Sequence, residues 1–518
     1  MASVSKSSQP SKKGLFNKFL NVIETVGNKL PHPVTIFLLL AVAVIVISEI
    51  ASRAGLAVNF YDAKYKTEKT VEAISLLNAE GLRYMINTAT KNFTGFHPLG
   101  TVLVAMLGVG IAEGTGLINS ALKKLVLSTP KRLITAVVVF AGVMSNIASD
   151  AGYVVLVPLG AIVFLSFKRH PLAGMAAAFA GVSGGFSANL LLGTLDPLLA
   201  GITNEALTAG GIELSILPTA NMYFMMASTF LITFIGTYVT EKIVEPRLGE
   251  YKGEYKADDS MEVTEVEKKG LVAAGISLLI FVAVMIFLTL PENAALKVPE
   301  AENPLKQFIY NGLVPTIMLF FLVPGLVYGI VAGTIKNDKD VIKAMSKAMS
   351  GLGGYLVLCF FAAQFIKYFS YTNLGIILAV SGANFLKAIG FTGLPLILAF
   401  IVVAGFINLF IGSASAKWGI MAPVFIPMMY QLGFTPEFTQ LAYRIGDSCT
   451  NIISPLMSYF AVIVVFAQKY DKDTGIGTLI STMLPYSIAF LLGWTALMIV
   501  WYLVGAPIGP DAFIHLAM

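Results

Sequence analysis

The sequence predicts an all-α polytopic membrane protein: about nine transmembrane helices plus two re-entrant hairpins, arranged as inverted repeats with broken helices. Three observations carry this. Of 518 residues only 13% are charged while 56% are hydrophobic, and the mean hydropathy is +0.78; soluble domains carry about 25% charged residues. The apolar residues fall in uncharged runs such as Pro33–Ser48, Leu271–Leu290 and Leu313–Val331, close to the roughly 20 residues a spanning helix needs. Two further stretches each show a short apolar arm, a polar tip, a second short arm and then a long apolar segment with a polar break. The alternating ten-residue strands of a membrane barrel are absent.

Composition also excludes several functions. The net charge is only +5, and no basic stripe points to nucleic acid. Cys359 and Cys449 sit in apolar segments, which argues against disulfides or iron–sulfur ligation. The four histidines are far apart and lack metal-ligand spacing. There is no P-loop or dinucleotide fingerprint, so neither a cofactor nor a metal is expected, beyond H⁺ or Na⁺ as a coupling ion. Met1–Leu30 lacks the apolar core of a signal peptide.

Lysines in Met1–Leu30 place that tail in the cytoplasm. Span one is about Pro33–Ile50. A polar outer loop, about Ala51–His97, leads to a Gly-rich span at about Leu99–Ile118 with Glu113 near its end. Lys123, Lys124, Lys131 and Arg132 mark the cytoplasm again. Leu133–Ser145 and Tyr153–Phe167 are each too short to span, and basic pairs flank both ends, so they form a re-entrant hairpin with its tip at Ser145–Asp150. Pro171–Ile202 is a broken span, interrupted from Ser187 to Pro197, where proline removes a donor and glycines tolerate unwinding. Met222–Val239 spans back to a charged cytoplasmic segment, Glu241–Lys269. Spans at about Val272–Leu290 and Val314–Gly333 precede a Lys-rich inner loop. Gly351–Phe369 spans, and Asn373–Lys387 is a short amphipathic interfacial segment. Leu394–Phe410 and Gly419–Tyr430 form a second hairpin around the polar tip Gly412–Trp418. Pro436–Val465 is a second broken span, interrupted from Gly446 to Pro455, and Met483–Val504 is the last. The resulting division is a cytoplasmic tail (1–30), scaffold and dimerisation helices (31–130), a first transport repeat (131–217), scaffold helices with a cytoplasmic loop (218–350), a second transport repeat (351–470), and the last span with the C-terminus (471–518).

The first repeat begins inside and the second outside, so the two are inverted. Inverted repeats with discontinuous helices locate substrate and ion sites near the midplane of secondary transporters. Half-helix N-termini suit anions there, and unwound carbonyls suit a cation. Asp196, Arg444 and Asp447 lie inside spanning segments and Asp150 at a hairpin tip. A charge at the bilayer centre costs about 2.5–3.5 kcal/mol on insertion scales, so such residues are functional by default. The bland alternative is a structural ion pair, Arg444 with Asp447 one turn away; Asp196 has no neighbouring cation in sequence. Lys417 either snorkels or faces the site. Trp418 is either an interfacial anchor or a stacking surface for an aromatic substrate. Asn146, Asn189, Asn408 and Asn451 either cap helix ends or offer oxygens to Na⁺.

At these residues the chain resembles the AbgT family of p-aminobenzoyl-glutamate and antimetabolite transporters. The runs that carry the resemblance are Ser145–Pro158, Arg169–Gly174, Ala180–Asn189, Gly412–Trp418 and Tyr443–Ser448, with Pro31–Pro33, Asn92–Phe96 and Pro507–Pro510 beside them. The resemblance implies nine spans with two hairpins, a homodimer and the inner membrane of bacteria. It places substrate-binding roles on Asp196, Ser415, Trp418, Pro436, Arg444 and Asp447, and is nearest to members associated with sulfonamide efflux. The expected function is ion-gradient-driven transport of p-aminobenzoyl-glutamate-like folate catabolites, or export of sulfonamides by proton antiport, with Asp196 as the coupling acid. The alternatives are an intramembrane enzyme, for which the sequence offers no paired catalytic motif, and a Na⁺-coupled carboxylate importer.

Overall fold

A computed structural model describes residues 31–62, 67–148, 152–251, 253, 263–297, 304–455, 457 and 459–516. The tail Met1–Leu30 and Asp150 lie outside the described residues.

The chain opens with α1 (Pro33–Arg53), a β-hairpin of β1 (Ala57–Asp62) and β2 (Thr67–Glu72), and α2 (Ala79–Thr94). The strands are antiparallel with Ala57 opposite Glu72. The expected outer loop is therefore structured. Its polar helix α2 is capped by Asn78, whose side chain accepts from the Gly81 N–H at 2.7 Å. Helices α3 (His97–Gly114) and α4 (Leu117–Leu127) follow, with Glu113 exposed at the end of α3 as expected of a span end.

The first hairpin consists of α5 (Ile134–Ser145) and α6 (Val157–Ser166). With 12 and 10 residues these arms reach about 18 and 15 Å at 1.5 Å per residue, roughly half the hydrocarbon thickness. The chain turns by 112° between Leu117–Leu127 and Lys131–Ser145. The first broken helix is α7 (Pro171–Phe179), which runs through a π-turn at Ala180–Gly184, and α8 (Leu195–Ala209) after the break. Then come α9 (Met222–Val239), α10 (Glu245–Leu248), α11 (Glu265–Thr289), α12 (Pro304–Val331), α13 (Asp338–Gly351), α14 (Gly353–Tyr371) and α15 (Leu374–Ala388). Helix α13 lies where the sequence suggested a Lys-rich loop; Asn337 and Asp340 close a capping box at its start.

The second hairpin is α16 (Gly393–Asn408) and α17 (Ala414–Gln431), the second broken helix α18 (Pro436–Asn451) and α19 (Phe460–Gln468), and the last span α20 (Ile476–Val504). Seven helical stretches among the described residues are long and apolar enough to cross a membrane, or eight if the bent pair Leu117–Leu127 and Lys131–Ser145 is one span; the two broken helices stand beside these. One boundary is corrected. The polar tip was read as extending to Trp418, but the helix already begins at Ala414, with Ser413 as its cap. Ser415, Lys417 and Trp418 are thus on the first turns of α17, held by helical geometry.

Both hairpins, both broken helices, α9 and α20 share one core. Helices α1 and α14 share a second, and α3 and α12 a third. In each repeat the first hairpin arm meets the first half of the broken helix through glycine. A Cβ at Gly181 would lie 2.2 Å from the Val139 carbonyl oxygen, and one at Gly446 would lie 2.3 Å from that of Ile401. Backbone cannot yield there as a flexible side chain would. Gly181→Ala and Gly446→Ala should each lower stability by about 1–3 kcal/mol, read as a drop in thermal midpoint in detergent; an unchanged midpoint would mean the helices are free to separate. At the outer ends of the first hairpin's two arms, Arg169 clasps Glu245 through two nitrogens and also donates to Thr135 Oγ1 at 2.7 Å. This ties the first hairpin to the start of α10.

Candidate functional site

The two hairpins and the two helix breaks converge on one cavity of about 380 Å³. Its polar lining includes Ser413, Ser415 and Asn451, and its aromatic lining Tyr153, Tyr459 and Phe186. Tyr153 belongs to the first hairpin and Ser413 and Ser415 to the second, so both hairpins contribute to this cavity. Ser413 accepts from the Ala416 N–H at 3.3 Å. Its hydroxyl and that of Ser415 therefore sit at the N-terminal end of α17, where free N–H groups and the helix dipole favour an anion.

Two buried ion pairs join the helices that contribute to the cavity. Arg444 Nη1 is 2.8 Å from Asp196 Oδ1, and its Nη2 donates to the Ser187 carbonyl at 3.0 Å. Asp196 Oδ2 accepts the Gly193 N–H at 2.8 Å, which closes the turn into α8. Arg444 thus joins the second broken helix to both ends of the break in the first. This corrects two expectations: Asp196 has a cation, and Arg444 is not paired with Asp447. A cation 248 positions away in sequence leaves no local signal.

Asp447 pairs instead with Lys417. Lys417 is 0% exposed, so it does not snorkel. Its ammonium also donates to Asn408 Oδ1 and lies 5.8 Å from the Tyr443 ring centre. The Tyr443 hydroxyl donates to the Ala414 carbonyl at 2.7 Å. A lysine beside a tryptophan at a hairpin tip reads as interfacial in sequence; only the helical start at Ala414 turns it inward.

The four asparagines fall on matching positions. The Asn146 amide donates to the Gly185 carbonyl at 3.4 Å, and that of Asn408 to the Asp447 carbonyl at 2.7 Å, each across 39 positions. Asn408 also donates to Asn451 Oδ1 across 43 positions, the same step that separates Asn146 from Asn189. The repeats nevertheless differ at the matching oxygen. In the second, the Lys417 ammonium fills Asn408 Oδ1; in the first, Asn146 Oδ1 is buried with no hydrogen-bond partner among the described residues. Asn189 caps its own turn, accepting from the Leu191 N–H at 3.2 Å.

Trp418 is fully buried. Tyr443 stacks on it at 4.4 Å, and its Nε1 donates to Thr203 Oγ1 at 2.9 Å, so it is not an interfacial anchor. Pro436 is the first residue of α18, behind the Thr435 cap. At 1.5 Å per residue it stands about 12 Å along the helix from Arg444, outside the cluster of Asp196, Arg444 and Asp447. Sequence reasoning missed Tyr153, Tyr459 and Thr203. Tyr153 was legible only as a member of the run Ser145–Pro158 and Tyr459 not at all, since tyrosine in an apolar segment reads as core.

Comparison with known proteins assigns this architecture. The model described as "AbgT putative transporter family" matches residues 18–516. The p-aminobenzoyl-glutamate transport protein of Escherichia coli (strain K12) is 37% identical over 519 residues, spanning 100% of both chains. The crystal structure of the Alcanivorax borkumensis YdaH transporter, noted for an unusual topology, has a TM-score of 0.86 at 45% identity and covers 93% of this chain and 100% of its own. Neisseria gonorrhoeae MtrF, presented as illuminating a class of antimetabolite efflux pumps, has a TM-score of 0.89 at 49% identity and covers 95% and 100%. Matches of this length to transporters, over a fold with paired hairpins and broken helices, identify the chain as a multi-pass membrane transporter, not an enzyme, and a member of the AbgT family.

Proposed function

We propose that the protein is an ion-gradient-driven secondary transporter of p-aminobenzoyl-glutamate-like folate catabolites that also exports sulfonamide antimetabolites. It would work as a homodimer in the bacterial inner membrane with a cytoplasmic N-terminus. The observation that carries the coupling scheme is the Asp196–Arg444 ion pair, which bridges the two broken helices beside the cavity. A substrate carboxylate enters at the N-terminal end of α17, where Ser413 and Ser415 stand, and competes with Asp196 for Arg444. The planar guanidinium fork matches a carboxylate bidentately. Once released, Asp196 would be a buried unpaired charge, which costs several kcal/mol, so it takes up a proton. Substrate and proton then bind together. A sulfonamide that engages Asp196 through its amine N–H groups competes with the proton instead, which yields antiport. A second reading, with Na⁺ as the coupling ion, is favoured by one observation: the unpartnered Asn146 oxygen beside an unwound segment.

The test is counterflow and uptake of labelled p-aminobenzoyl-glutamate in proteoliposomes under separately imposed H⁺ and Na⁺ gradients. A proton gradient should drive accumulation without Na⁺. Accumulation from Na⁺ alone, indifferent to pH, would move coupling to the asparagines; absence of counterflow would remove the substrate class.

A further inference from the structure

We propose that the aryl ring of the substrate binds against Tyr459, on a platform backed by Tyr153, and not against Trp418. The proposal rests on the aryl-glutamate and sulfonamide substrate class argued above and names the part of the cavity that recognises the ring.

Trp418 has no face to offer. It is 0% exposed, Tyr443 covers one side at 4.4 Å, and its N–H is committed to Thr203. Tyr459 is different. It lines the cavity and is only partly buried. Tyr153 lies parallel to it, with ring centres 4.7 Å apart and an interplanar angle of 4°. Tyr153 in turn meets the edge of Phe179 at 6.3 Å, and Phe179 meets Phe460 at 6.1 Å. These four rings come from the first hairpin, the first half of the first broken helix, the second break and α19, so the platform is held from several elements at once. A ring whose position is fixed loses little conformational freedom when a ligand stacks on it. Phe186 lines the same cavity.

The same cavity also carries polar groups, Ser413, Ser415 and Asn451. A ligand with an aromatic end and a carboxylate end thus meets two matching sets of groups, the ring at Tyr459 and the carboxylate at the start of α17. This gives separate determinants. Loss of the ring platform should weaken every aryl ligand and spare a ringless acyl-glutamate; loss of the guanidinium fork should weaken every glutamate conjugate and spare sulfanilamide, which has no carboxylate.

The experiment measures inhibition of labelled p-aminobenzoyl-glutamate transport in proteoliposomes by sulfanilamide and by N-acetylglutamate. Each is tested on the wild type, Tyr459→Leu, Tyr459→Phe, Trp418→Phe and Arg444→Lys. Tyr459→Leu should weaken sulfanilamide and p-aminobenzoyl-glutamate roughly tenfold, the scale of a lost aromatic contact and its burial, and leave N-acetylglutamate unchanged. Tyr459→Phe should stay within about twofold, because the ring remains. If Tyr459→Leu does not fold, Phe186→Ala carries the same expectation. Equal weakening of aryl and ringless ligands by Tyr459→Leu would overturn the proposal, as would a selective aryl defect in Trp418→Phe with none in Tyr459→Leu. Failure of both aryl compounds to compete in the wild type would instead overturn the substrate class itself.

Discussion

Lys417→Met should destabilise the protein by about 3–5 kcal/mol, the cost of breaking a buried ion pair from one side. The lysine side chain is 0% exposed and that of Asp447 1%. Removing the ammonium strands the Asp447 carboxylate and empties the bond to Asn408 Oδ1. Replacing both charges is different, because well-packed apolar residues often substitute for a buried pair at no net loss. Lys417→Met/Asp447→Leu should therefore recover most of the thermal midpoint while transport stays absent. A single Lys417→Met variant as stable as the wild type would show that the ammonium does not hold the second hairpin to its broken helix.

Asp196→Ala should abolish concentrative transport, because the exchange at Arg444 then has no acid to carry the proton. Asp196→Asn is more informative. An amide keeps one of the two accepting oxygens, for the Gly193 N–H or for Arg444, while its NH2 accepts neither, and it takes no proton. Counterflow should persist in Asp196→Asn while proton-driven accumulation is lost, a split that a merely structural role for Asp196 does not produce. Arg444→Lys should reduce transport of the glutamate conjugate at least tenfold, since one ammonium cannot reproduce the contacts to Asp196 and Ser187. Normal accumulation in Asp196→Ala would remove this carboxylate from coupling.

Much of this fold was legible in the sequence because bilayer physics leaves composition marks. Half-length apolar arms between basic pairs cannot be anything but re-entrant, and Pro197 and Pro455 sit where helices must break. The partners of the buried charges were not legible. Arg444 and Asp447, three apart on α18, looked like a pair, yet their partners come from the first repeat's break and the second hairpin. Helix periodicity states which residues share a face and nothing of what faces them. The segment Ala51–His97 was hidden for a different reason: α2 is stabilised by its Asn78 cap and by packing against α14, and its polar composition resembles a loop. The Asn92 amide, for example, donates to Gln364 Oε1 at 3.0 Å.

The most direct test of the exchange at Arg444 is proton uptake on substrate binding. Purified protein in weakly buffered detergent solution receives p-aminobenzoyl-glutamate while the pH of the medium is followed. If the substrate carboxylate displaces Asp196 from Arg444, the wild type takes up about one proton per substrate bound, and Asp196→Asn binds substrate with no uptake. Stoichiometric binding by the wild type with no change in pH would contradict the exchange.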